Sequence, residues 1–427
     1  MKAEHFLHPP QVGEEHEVTL SNWAYGGEAI GRLPDGRVVF VPYAVPGEVV
    51  RVRLTEVRPR YARGEVVTIL EPSPDRVPPR CPHFGRCGGC HYQHLSYAAQ
   101  LTAKTGIVRD QLERLGGLHD VPLRPMVPAP QPWGYRNHVQ FHLDGEGRLG
   151  FQAWRSHEVV PVEQCFLPVD AIRAVWPHLH IAPEAGVNRV HLRAGADGEL
   201  MLLLRGPSPA PPPFEVDFPL SAVYLPEGDE AGLTVLSGHS YQVMEVKGRL
   251  FRVSASSFFQ VNQAIAGVIV DHLLEHLPLT PETTLLEVYA GVGLFSAFLA
   301  PKVGRLLAVE SSPSACADFE VNLDAFEHVE LYEAPAEVAL PYLLARDEYA
   351  QVVVVDPPRS GLLKEVLDAL VAMQPEVLAY VSCDPATLAR DARRLTRKGY
   401  RLKQITPFDM FPQTHHIETV SFWERMR

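Results

Sequence analysis

The sequence predicts an α/β protein that joins an N-terminal β-barrel, a strand-rich central domain and a C-terminal sheet covered by helices. Two patterns support this prediction. Residues 13–70 alternate apolar and polar positions between Gly and Pro turns, which is typical of the short strands of a small barrel. From about residue 264, apolar runs alternate with helical stretches, as in a parallel sheet with helices on both faces. The length of 427 residues also favours two or three domains.

The barrel is predicted over residues 1–72, and the Pro-rich segment EPSPDRVPPR follows its strands as a linker. The central domain, residues 73–262, begins with a cysteine cluster and a helix predicted over about 96–116. Strands follow over roughly 133–250. They are interrupted by PSPAPPPFEVDFP, which we expect to be an exposed loop.

The C-terminal domain is predicted over residues 263–427, where short continuous apolar runs indicate buried strands. The predicted strands are residues 285–289, 306–309, 329–332, 352–355 and 378–381. The carboxyl ends of parallel strands meet at one edge of a sheet, which is where open α/β sheets bind ligands. Residues just after these runs are therefore the candidates for a functional site.

Composition predicts a cytoplasmic protein. The chain is 46% hydrophobic and 21% charged, as soluble globular proteins are. Its first residues lack the apolar core of a signal peptide, and its most apolar stretch, residues 285–300, is too short for a membrane span and carries Glu287. We expect no membrane partner.

The net charge of −12 does not exclude a nucleic-acid partner, because salt screens charges beyond about 8 Å and a polyanion responds to the local patch. Residues 51–65 hold five Arg against two Glu, and residues 386–404 hold five Arg and two Lys against one Asp. Solvated protein faces are the alternative interpretation of both patches.

Four of the six cysteines form a candidate metal site. The segment CPHFGRCGGC places Cys81, Cys87 and Cys90 in a C-x5-C-x2-C pattern, and Cys165 follows further along the chain. A reducing cytoplasm disfavours disulfides, so clustered cysteines indicate metal binding. Zinc and an iron–sulfur cluster both accept four thiolates, and the spacing does not choose between them. A fourth thiolate argues against a radical enzyme, which needs one open iron.

A second candidate site follows the strand at 285–289. The segment LLEVYAGVGLFS has a Gly-rich turn in which Gly291 and Gly293 permit close approach of a ligand. Glu310 ends the next strand, where an acid can accept both hydroxyls of a ribose; a solvated strand end is the alternative. The phosphate-loop pattern is absent, and Ala297 or Phe298 stands near the third glycine of the dinucleotide fingerprint. These features predict S-adenosylmethionine as the ligand.

Three residues at strand ends suggest a reaction. Asp356 ends the fourth strand, Cys383 ends the fifth beside the helix start Asp384–Pro385, and Glu418 begins a last strand. A thiolate that adds to carbon 6 of uracil makes carbon 5 nucleophilic towards a methyl group, and a base must then remove the carbon-5 proton. The alternatives are a buried structural thiol for Cys383 and a surface acid for Glu418. Cys316, in the middle of a helical stretch, is interpreted as packing.

Together these motifs resemble the RNA uracil-5-methyltransferase family, specifically its 23S ribosomal branch with a TRAM domain. The shared order is a barrel, the cysteine pattern with distant Cys165, and then SFFQVN, VYAGVGLFS, DPPRSG, SCDPATLARD and FDMFPQTHHIETV. The similarity covers nearly the whole chain. It implies an OB-like TRAM domain that binds RNA and a Rossmann-like methyltransferase domain that uses S-adenosylmethionine.

The resemblance also implies residue roles. Cys383 matches the family nucleophile and Glu418 its general base. The positions matching contacts to S-adenosylmethionine are Gln260, Tyr289, Glu310 and Asp356, with Gly291 in the same turn. The positions matching the ligands of a [4Fe–4S] cluster are Cys81, Cys87, Cys90 and Cys165. Two positions depart from the pattern: Leu294 stands where some members have Asn at the donor, and Ala290 replaces a common Cys.

The resemblance implies an RNA partner, 23S ribosomal RNA. No obligate protein partner is evident from the sequence, and we expect a monomer. Transfer RNA is the alternative substrate, although the family's transfer-RNA members typically lack both the barrel and the cysteine cluster. Tyr135, Arg136, Phe258 and Phe259 are candidates to hold splayed RNA. An exocyclic-amine methyltransferase, which needs no cysteine, and a non-catalytic RNA-binding metalloprotein are further alternatives.

Overall fold

The computed structural model describes residues 9–216, 218–228 and 232–426, so residues 1–8 of the predicted barrel domain and Arg427 lie outside the described part. Its first unit is a closed five-stranded barrel with the order β1-β2-β3-β5-β4, as predicted. The strands are β1 (Glu15–Trp23), β2 (Ala29–Arg32), β3 (Val38–Val41), β4 (Val49–Val57) and β5 (Tyr61–Glu71).

Inward and outward side chains alternate strictly along β4. Val50, Val52 and Leu54 point inward, are buried and fill the barrel interior. Glycine is required where strands approach closely. A Cβ at Gly31 would lie 2.2 Å from Cγ1 of Val18, and one at Gly64 would lie 2.2 Å from Cγ1 of Val52.

The helix predicted over 96–116 is confirmed as α1 (Tyr97–Arg114), and the Ser96 hydroxyl caps it by accepting from the Ala99 N–H. The central domain follows as a seven-stranded sheet with the order β12-β11-β10-β9-β6-β7-β8. Its elements are β6 (His138–Leu143), β7 (Leu149–Gln152), β8 (Val159–Pro161), α2 (Asp170–Val175), β9 (Arg189–Ala194), β10 (Leu200–Gly206), β11 (Ser221–Pro226) and β12 (Thr234–Ser237).

Proline-rich sequence connects β10 to β11, and the described part of the predicted loop, residues 207–216 and 218–219, has no regular structure. The hairpin of β13 (Tyr241–Val246) and β14 (Arg249–Ser254) forms a small separate sheet before the C-terminal domain.

The C-terminal domain is a second seven-stranded sheet with the order β17-β16-β15-β18-β19-β21-β20. All five predicted strands are confirmed within one residue at each end. The elements are α3 (Gln263–His276), β15 (Thr284–Val288), α4 (Ser296–Leu299), β16 (Arg305–Glu310), α5 (Pro313–Leu323), β17 (Val329–Glu333), α6 (Ala336–Leu344), β18 (Val352–Val355), α7 (Lys364–Ala372), β19 (Val377–Ser382), α8 (Pro385–Arg397), β20 (Tyr400–Phe408) and β21 (Glu418–Arg425).

The expectation of an entirely parallel sheet is wrong for the last two strands. Strand β21 runs antiparallel to β19, and β20 runs antiparallel to β21. This direction matters for the site. A parallel strand would start at the edge opposite the strand ends, whereas antiparallel β21 starts at the edge where β18 and β19 end. Glu418, its first residue, therefore lies at the ligand-binding edge.

Helices cover both faces of this sheet. Helices α3, α4 and α5 pack on one face, and α1, α6, α7 and α8 pack on the other. Helix α1 precedes the central domain in sequence, and its fully buried Lys104 forms a 2.6 Å ion pair with the equally buried Asp409 after β20. This pair ties the N-terminal half of the chain to the loop that leads to Glu418. No helix among the described residues is long and apolar enough to cross a bilayer.

Candidate active site

Strand register brings Cys383 and Glu418 together. Ser382 at the end of β19 pairs with Thr419 of β21, and the Thr419 hydroxyl donates to the Ser382 carbonyl at 3.2 Å. Cys383 is the next residue after β19, and Glu418 is the residue before Thr419. The thiol is half-buried and the carboxyl is 3% exposed. The sequence-predicted nucleophile and base therefore face one site.

Asp356 and Arg359 complete this edge. Strand β18 is the parallel neighbour of β19, and Asp356 follows its last residue, with its N–H donating to the Val288 carbonyl at 3.3 Å. Exposed Arg359 lies in the turn that follows, which is closed by the Gly361 N–H bond to the Pro358 carbonyl at 2.8 Å. Arg359 is close enough to Cys383 to act on its charge. A carboxyl, a cation, a thiol and a second carboxyl thus come from two neighbouring strand ends and the start of a third.

Burial controls the charges of these groups. Burial raises the pKa of the Cys383 thiol to about 12, and the nearby Glu418 and Asp356 carboxyls add to the increase. Burial, followed by Asp356, raises the pKa of Glu418 well above its usual range. Burial also raises the pKa of Asp356 to about 7. Arg359 lowers the pKa values of both Cys383 and Glu418. Burial therefore favours the neutral forms of the thiol and the carboxyls, and Arg359 opposes this effect on Cys383 and Glu418.

The turn after Cys383 is fixed by a helix cap. Asp384 is the N-cap of α8, and its Oδ1 accepts from the N–H groups of Ala386 and Thr387 at 2.9 Å each. Pro385 occupies the first helical position, as the sequence predicted. The thiol therefore sits beside a helix N-terminus, whose dipole favours an anion.

The Gly-rich turn after β15 adopts a backbone that few side chains permit. Tyr289, Gly291 and Gly293 have φ values of +67°, +56° and +86°. A Cβ at Gly293 would lie 2.4 Å from Cδ2 of Leu323, so no larger residue fits there. Left-handed backbone at a non-glycine residue is costly and is characteristic of functional sites.

Glu310 holds this turn from the end of β16. Its Oε2 accepts from the Gly291 N–H at 2.8 Å, and its Oε1 accepts from the Ser311 and Ser312 N–H groups at 2.7 and 2.8 Å. Each carboxylate oxygen can accept more than one hydrogen bond, so capacity for a ribose hydroxyl remains. The carboxylate is therefore both a support of the turn and a candidate ligand contact.

Gln260 and Glu287 are two further buried polar residues. Gln260 is buried just before α3, and its carbonyl accepts from the Asn137 side chain at 3.1 Å. Glu287 was not predicted as a site residue. Burial raises its pKa to about 8, Asp356 and Glu310 add to this, and Ser296 donates a 2.5 Å hydrogen bond that lowers it. An acid inside an apolar run is the sequence feature that could have identified Glu287 as a site residue.

The four predicted metal ligands meet between the barrel and the central sheet. Cys90 is influenced electrostatically by Cys165, Cys87 and Cys81, and Cys165 by Cys87 and Cys81. Burial raises the pKa values of Cys87, Cys90 and Cys165, the last to about 12. Each thiolate thus makes the next one harder to form. A bound cation would reverse this repulsion, so the donor set fits a thiolate-ligated metal group.

Glycines beside these cysteines allow close packing and a bond to sulfur. A Cβ at Gly88 would lie 2.8 Å from the Gln152 carbonyl, and the Gly89 N–H donates to Sγ of Cys87 at 3.4 Å. Among the described residues, no three of the cysteine sulfurs lie within 4.8 Å of one another; the cluster that does meet this spacing is His272, Glu275 and His276 on the surface of α3. A tetrahedral zinc site, with Zn–S bonds of about 2.3 Å, needs sulfurs about 3.8 Å apart.

The residues proposed to hold RNA divide into two groups. Phe258 is 70% exposed beside Gln260, whereas Phe259 is 5% exposed in the core. Tyr135 is buried, and its hydroxyl donates to the Pro412 carbonyl at 3.0 Å. The prediction is therefore wrong for Phe259 and Tyr135. Phe258 and the part-exposed Arg136 stay as predictions.

The two basic patches are partly neutralised by ion pairs. In the first, the pairs are Arg53 with Glu15 and Glu65, Arg58 with Glu56, and Arg63 with Glu28. In the second, Arg390 and Arg394 both contact the buried Asp391. The exposed pairs of Arg53 and Arg58 contribute little stability. The paired arginines of both patches are still partly exposed. Phosphate binding by either patch stays a prediction.

Comparison with known proteins gives two matched families. The family described as tRNA (Uracil-5-)-methyltransferase matches residues 234–426. The TRAM domain matches residues 9–67. The first match contains the Gly-rich turn, Cys383 and Glu418, and the second contains strands β1 to β4 and the first part of β5.

Relatives match over nearly the whole chain. An uncharacterized RNA methyltransferase of Streptomyces avermitilis is 35% identical over 432 residues, which cover 97% of this chain and 99% of the relative. One from Halalkalibacterium halodurans is 35% identical over 452 residues, covering 97% and 98%. The crystal structure of Pyrococcus abyssi tRNA (uracil-54, C5)-methyltransferase with S-adenosyl-L-homocysteine shares the fold, with a TM-score of 0.72 at 23% identity over 96% of this chain and 100% of that chain.

Proposed function

Because this chain belongs to the RNA methyltransferase family that joins a TRAM domain to a uracil-5-methyltransferase domain, we propose that it methylates carbon 5 of a uridine in RNA through a covalent bond to Cys383. The single observation that carries this proposal is the pairing of Ser382 with Thr419, which sets Cys383 and Glu418 at one edge of the sheet. A thiol and a base at one site are the two groups that the reaction needs.

Cys383 acts first. Its thiol gives its proton to solvent water, and the thiolate adds to carbon 6 of the uracil, so that the electrons of the carbon 5–carbon 6 double bond form an enolate over carbon 5, carbon 4 and the carbon-4 oxygen. S-adenosylmethionine supplies an electrophilic methyl group at the Gly-rich turn. Carbon 5 of the ring takes this methyl group as the sulfonium C–S bond breaks. Arg359 assists the first step, because a cation beside Cys383 favours the thiolate.

Glu418 acts last. Its carboxylate removes the proton from carbon 5, the ring double bond forms again, and the thiolate of Cys383 leaves. The raised pKa of Glu418 suits this role, since a carboxyl that titrates closer to neutrality is a stronger base than an exposed one. Asp356, whose pKa is raised to about 7, is positioned to contact the same ring or the donor.

The donor side of the proposal assigns Gln260, Tyr289, Gly291, Glu310 and Asp356 to S-adenosylmethionine. These residues line the carboxyl ends of β15, β16 and β18 or the segment before α3. Support comes from the left-handed turn at Tyr289 and Gly291 and from the carboxylate of Glu310 beneath it. Binding of S-adenosylhomocysteine to Glu310→Gln and wild-type protein, compared by calorimetry, tests this assignment.

We assign a [4Fe–4S] cluster to Cys81, Cys87, Cys90 and Cys165. The resemblance to the family's cysteine pattern supports this assignment, and the Gly89 N–H bond to Sγ of Cys87 is typical of iron–sulfur sites. The cluster supplies a structural anchor when bound. The four cysteines come from the segment before α1 and from the loop after β8, so their shared ligand would bind these two segments together.

We propose 23S ribosomal RNA as the substrate, because barrel and cysteine cluster together are typical of that branch. Transfer RNA is the second candidate, favoured by the matched family description and by the substrate of the Pyrococcus abyssi structure. Exposed Phe258 beside Gln260 is suited to stack on a base that has left its helix.

A methylation assay with labelled S-adenosylmethionine tests both the activity and the choice of RNA substrate. Purified 23S ribosomal RNA and bulk transfer RNA from a strain lacking the gene are each incubated with the enzyme, and nucleosides are identified by mass spectrometry. We expect 5-methyluridine in ribosomal RNA and none in transfer RNA. Label only in transfer RNA establishes the second candidate. Label on an exocyclic amine, or none in either RNA, contradicts the proposal.

A further inference from the structure

The loop between β1 and β2 carries a barrel residue into the active site. The Tyr25 hydroxyl donates to Oδ2 of Asp384 at 2.6 Å, joining residues that are 359 positions apart. Asp384 directly follows Cys383, so the barrel touches the residue next to the nucleophile.

Both oxygens of the Asp384 carboxylate are thereby engaged. Oδ1 caps α8 through the N–H groups of Ala386 and Thr387, and Oδ2 accepts from Tyr25. The Asp384 N–H in turn donates to the Ser382 hydroxyl at 3.2 Å. Hydrogen bonds therefore hold the residues on both sides of Cys383. The bond from Tyr25 comes from another domain, the barrel.

Contacts with neighbouring segments hold the loop that carries Tyr25 in place. Gly26 and Gly27 have φ values of +108° and +92°, and a Cβ at Gly27 would lie 3.1 Å from Cβ of His415 and 3.3 Å from Cβ of His91. Beside it, Arg155 of the central domain donates to the buried Glu28 at 2.7 Å. The barrel loop is therefore wedged between the central domain and the loop that precedes Glu418.

The hydrogen bond from Tyr25 acts on the negative charge of Asp384, which lies beside the Cys383 thiol. The groups facing Cys383 are Glu418 from β21, Asp356 and Arg359 after β18, Asp384 at the start of α8, and Tyr25 from the barrel. The Asp384 carboxylate disfavours a thiolate on its neighbour. A hydroxyl hydrogen directed at that carboxylate offsets part of its negative field.

We propose that Tyr25 is a positioning residue for the nucleophile, which holds Asp384, favours the thiolate of Cys383 and makes correct seating of the RNA-binding barrel a condition for turnover. This inference rests on the proposed role of Cys383. It adds that the barrel is part of the active site as well as a means of binding RNA.

The test is the pH profile of iodoacetamide labelling at Cys383, measured by peptide mass spectrometry without RNA. In Tyr25→Phe we expect the labelling rate at pH 8 to fall about threefold to tenfold, since one pKa unit is a tenfold change in thiolate. The exposed Tyr349→Phe is the matched control and should label like wild type. Equal profiles for Tyr25→Phe and wild type overturn the inference.

A second variant separates this role from general loss of structure. Asp384→Asn keeps an oxygen that caps the helix but removes the charge. In that background Tyr25→Phe should change labelling less than twofold. If it slows labelling equally in both backgrounds, Tyr25 acts only as structural support and the inference is overturned.

Steady-state methylation separates this inference from the proposed function. Tyr25→Phe should lower kcat and leave KM for RNA unchanged, whereas a residue that only binds RNA would raise KM. If wild type does not methylate RNA but the labelling shift is present, the proposed function is wrong and the positioning by Tyr25 stands. A raised KM with unchanged kcat contradicts the positioning role.

Discussion

Ser382 pairs with Thr419 across the antiparallel strands β19 and β21, and the Thr419 hydroxyl also bonds to the Ser382 carbonyl. This backbone pair sets Cys383, which directly follows β19, beside Glu418 at the start of β21. The proposed reaction needs the two groups in sequence, the thiol to add and the carboxyl to remove a proton. Their roles are therefore separable by mutation.

Glu418→Gln should stop the reaction at its last stage. Addition of Cys383 and methyl transfer do not need the base, but release does, so we expect turnover to fall about 10²- to 10⁴-fold while a methylated RNA–protein adduct accumulates. Denaturing gels with labelled donor measure the adduct. Glu424→Gln, on the partly exposed end of the same strand, is the control and should retain activity. Turnover by Glu418→Gln within threefold of wild type would exclude this role.

Arg359→Gln should shift the pH dependence of the reaction to higher pH. Thiolate and carboxylate are the active forms, and their pKa values are raised by burial, so activity rises with pH. Arg359 lowers both pKa values; its loss raises them, and we expect kcat/KM at pH 7.5 to fall at least about tenfold for each pKa unit. The deficit should narrow as pH increases. Arg346→Gln, at an exposed arginine of the same domain, should leave the profile unchanged.

Cys90→Ser should abolish metal binding. Wild-type protein purified without oxygen should be brown and contain about four iron atoms per chain. The variant should be colourless and unfold at a lower temperature, because the ligand no longer joins its two segments. Cys316→Ser is the control, since Cys316 is buried in α5 and its thiol contacts the Glu310 carbonyl. One zinc per wild-type chain and no iron would refute the cluster assignment.

Gly293→Ala should damage the donor site and the fold together. Its backbone is left-handed at φ +86°, and the added methyl would lie 2.4 Å from the Leu323 side chain. We expect a loss of at least about 1 kcal/mol of stability and weaker binding of S-adenosylhomocysteine, measured by thermal unfolding and calorimetry. Gly145→Ala, whose Cβ would meet no atom within 4 Å, should bind like wild type. Wild-type affinity in Gly293→Ala would show that this turn does not contact the donor.

The sequence was informative wherever local chemistry determines structure. The apolar run before Cys383 ends at an Asp-Pro cap, so both the strand and the helix start were predictable. The Gly-rich turn was predictable for a similar reason, because only glycine adopts the backbone required at Gly293 without strain. Alternation along β4 likewise predicted the barrel.

The direction of a strand and the contacts between residues far apart in sequence were not predictable in this way. An apolar run does not encode whether its strand is parallel, so the reversal of β21 was missed although the start of that strand at Glu418 was predicted. Adjacent Phe258 and Phe259 point to opposite environments, which a segment outside regular structure does not reveal. The bond from Tyr25 to Asp384 joins residues 359 positions apart and leaves no periodic signal.

Covalent trapping with RNA that contains 5-fluorouridine tests the central claim most directly, because fluorine at carbon 5 cannot leave as a proton. Wild-type protein with S-adenosylmethionine should gain the mass of the RNA plus one methyl group, with the bond mapped to Cys383 by peptide mass spectrometry. Cys383→Ala should form no adduct, and Cys316→Ala should form as much as wild type. An adduct mapped to another residue, or methylation of natural RNA by Cys383→Ala, would contradict the account.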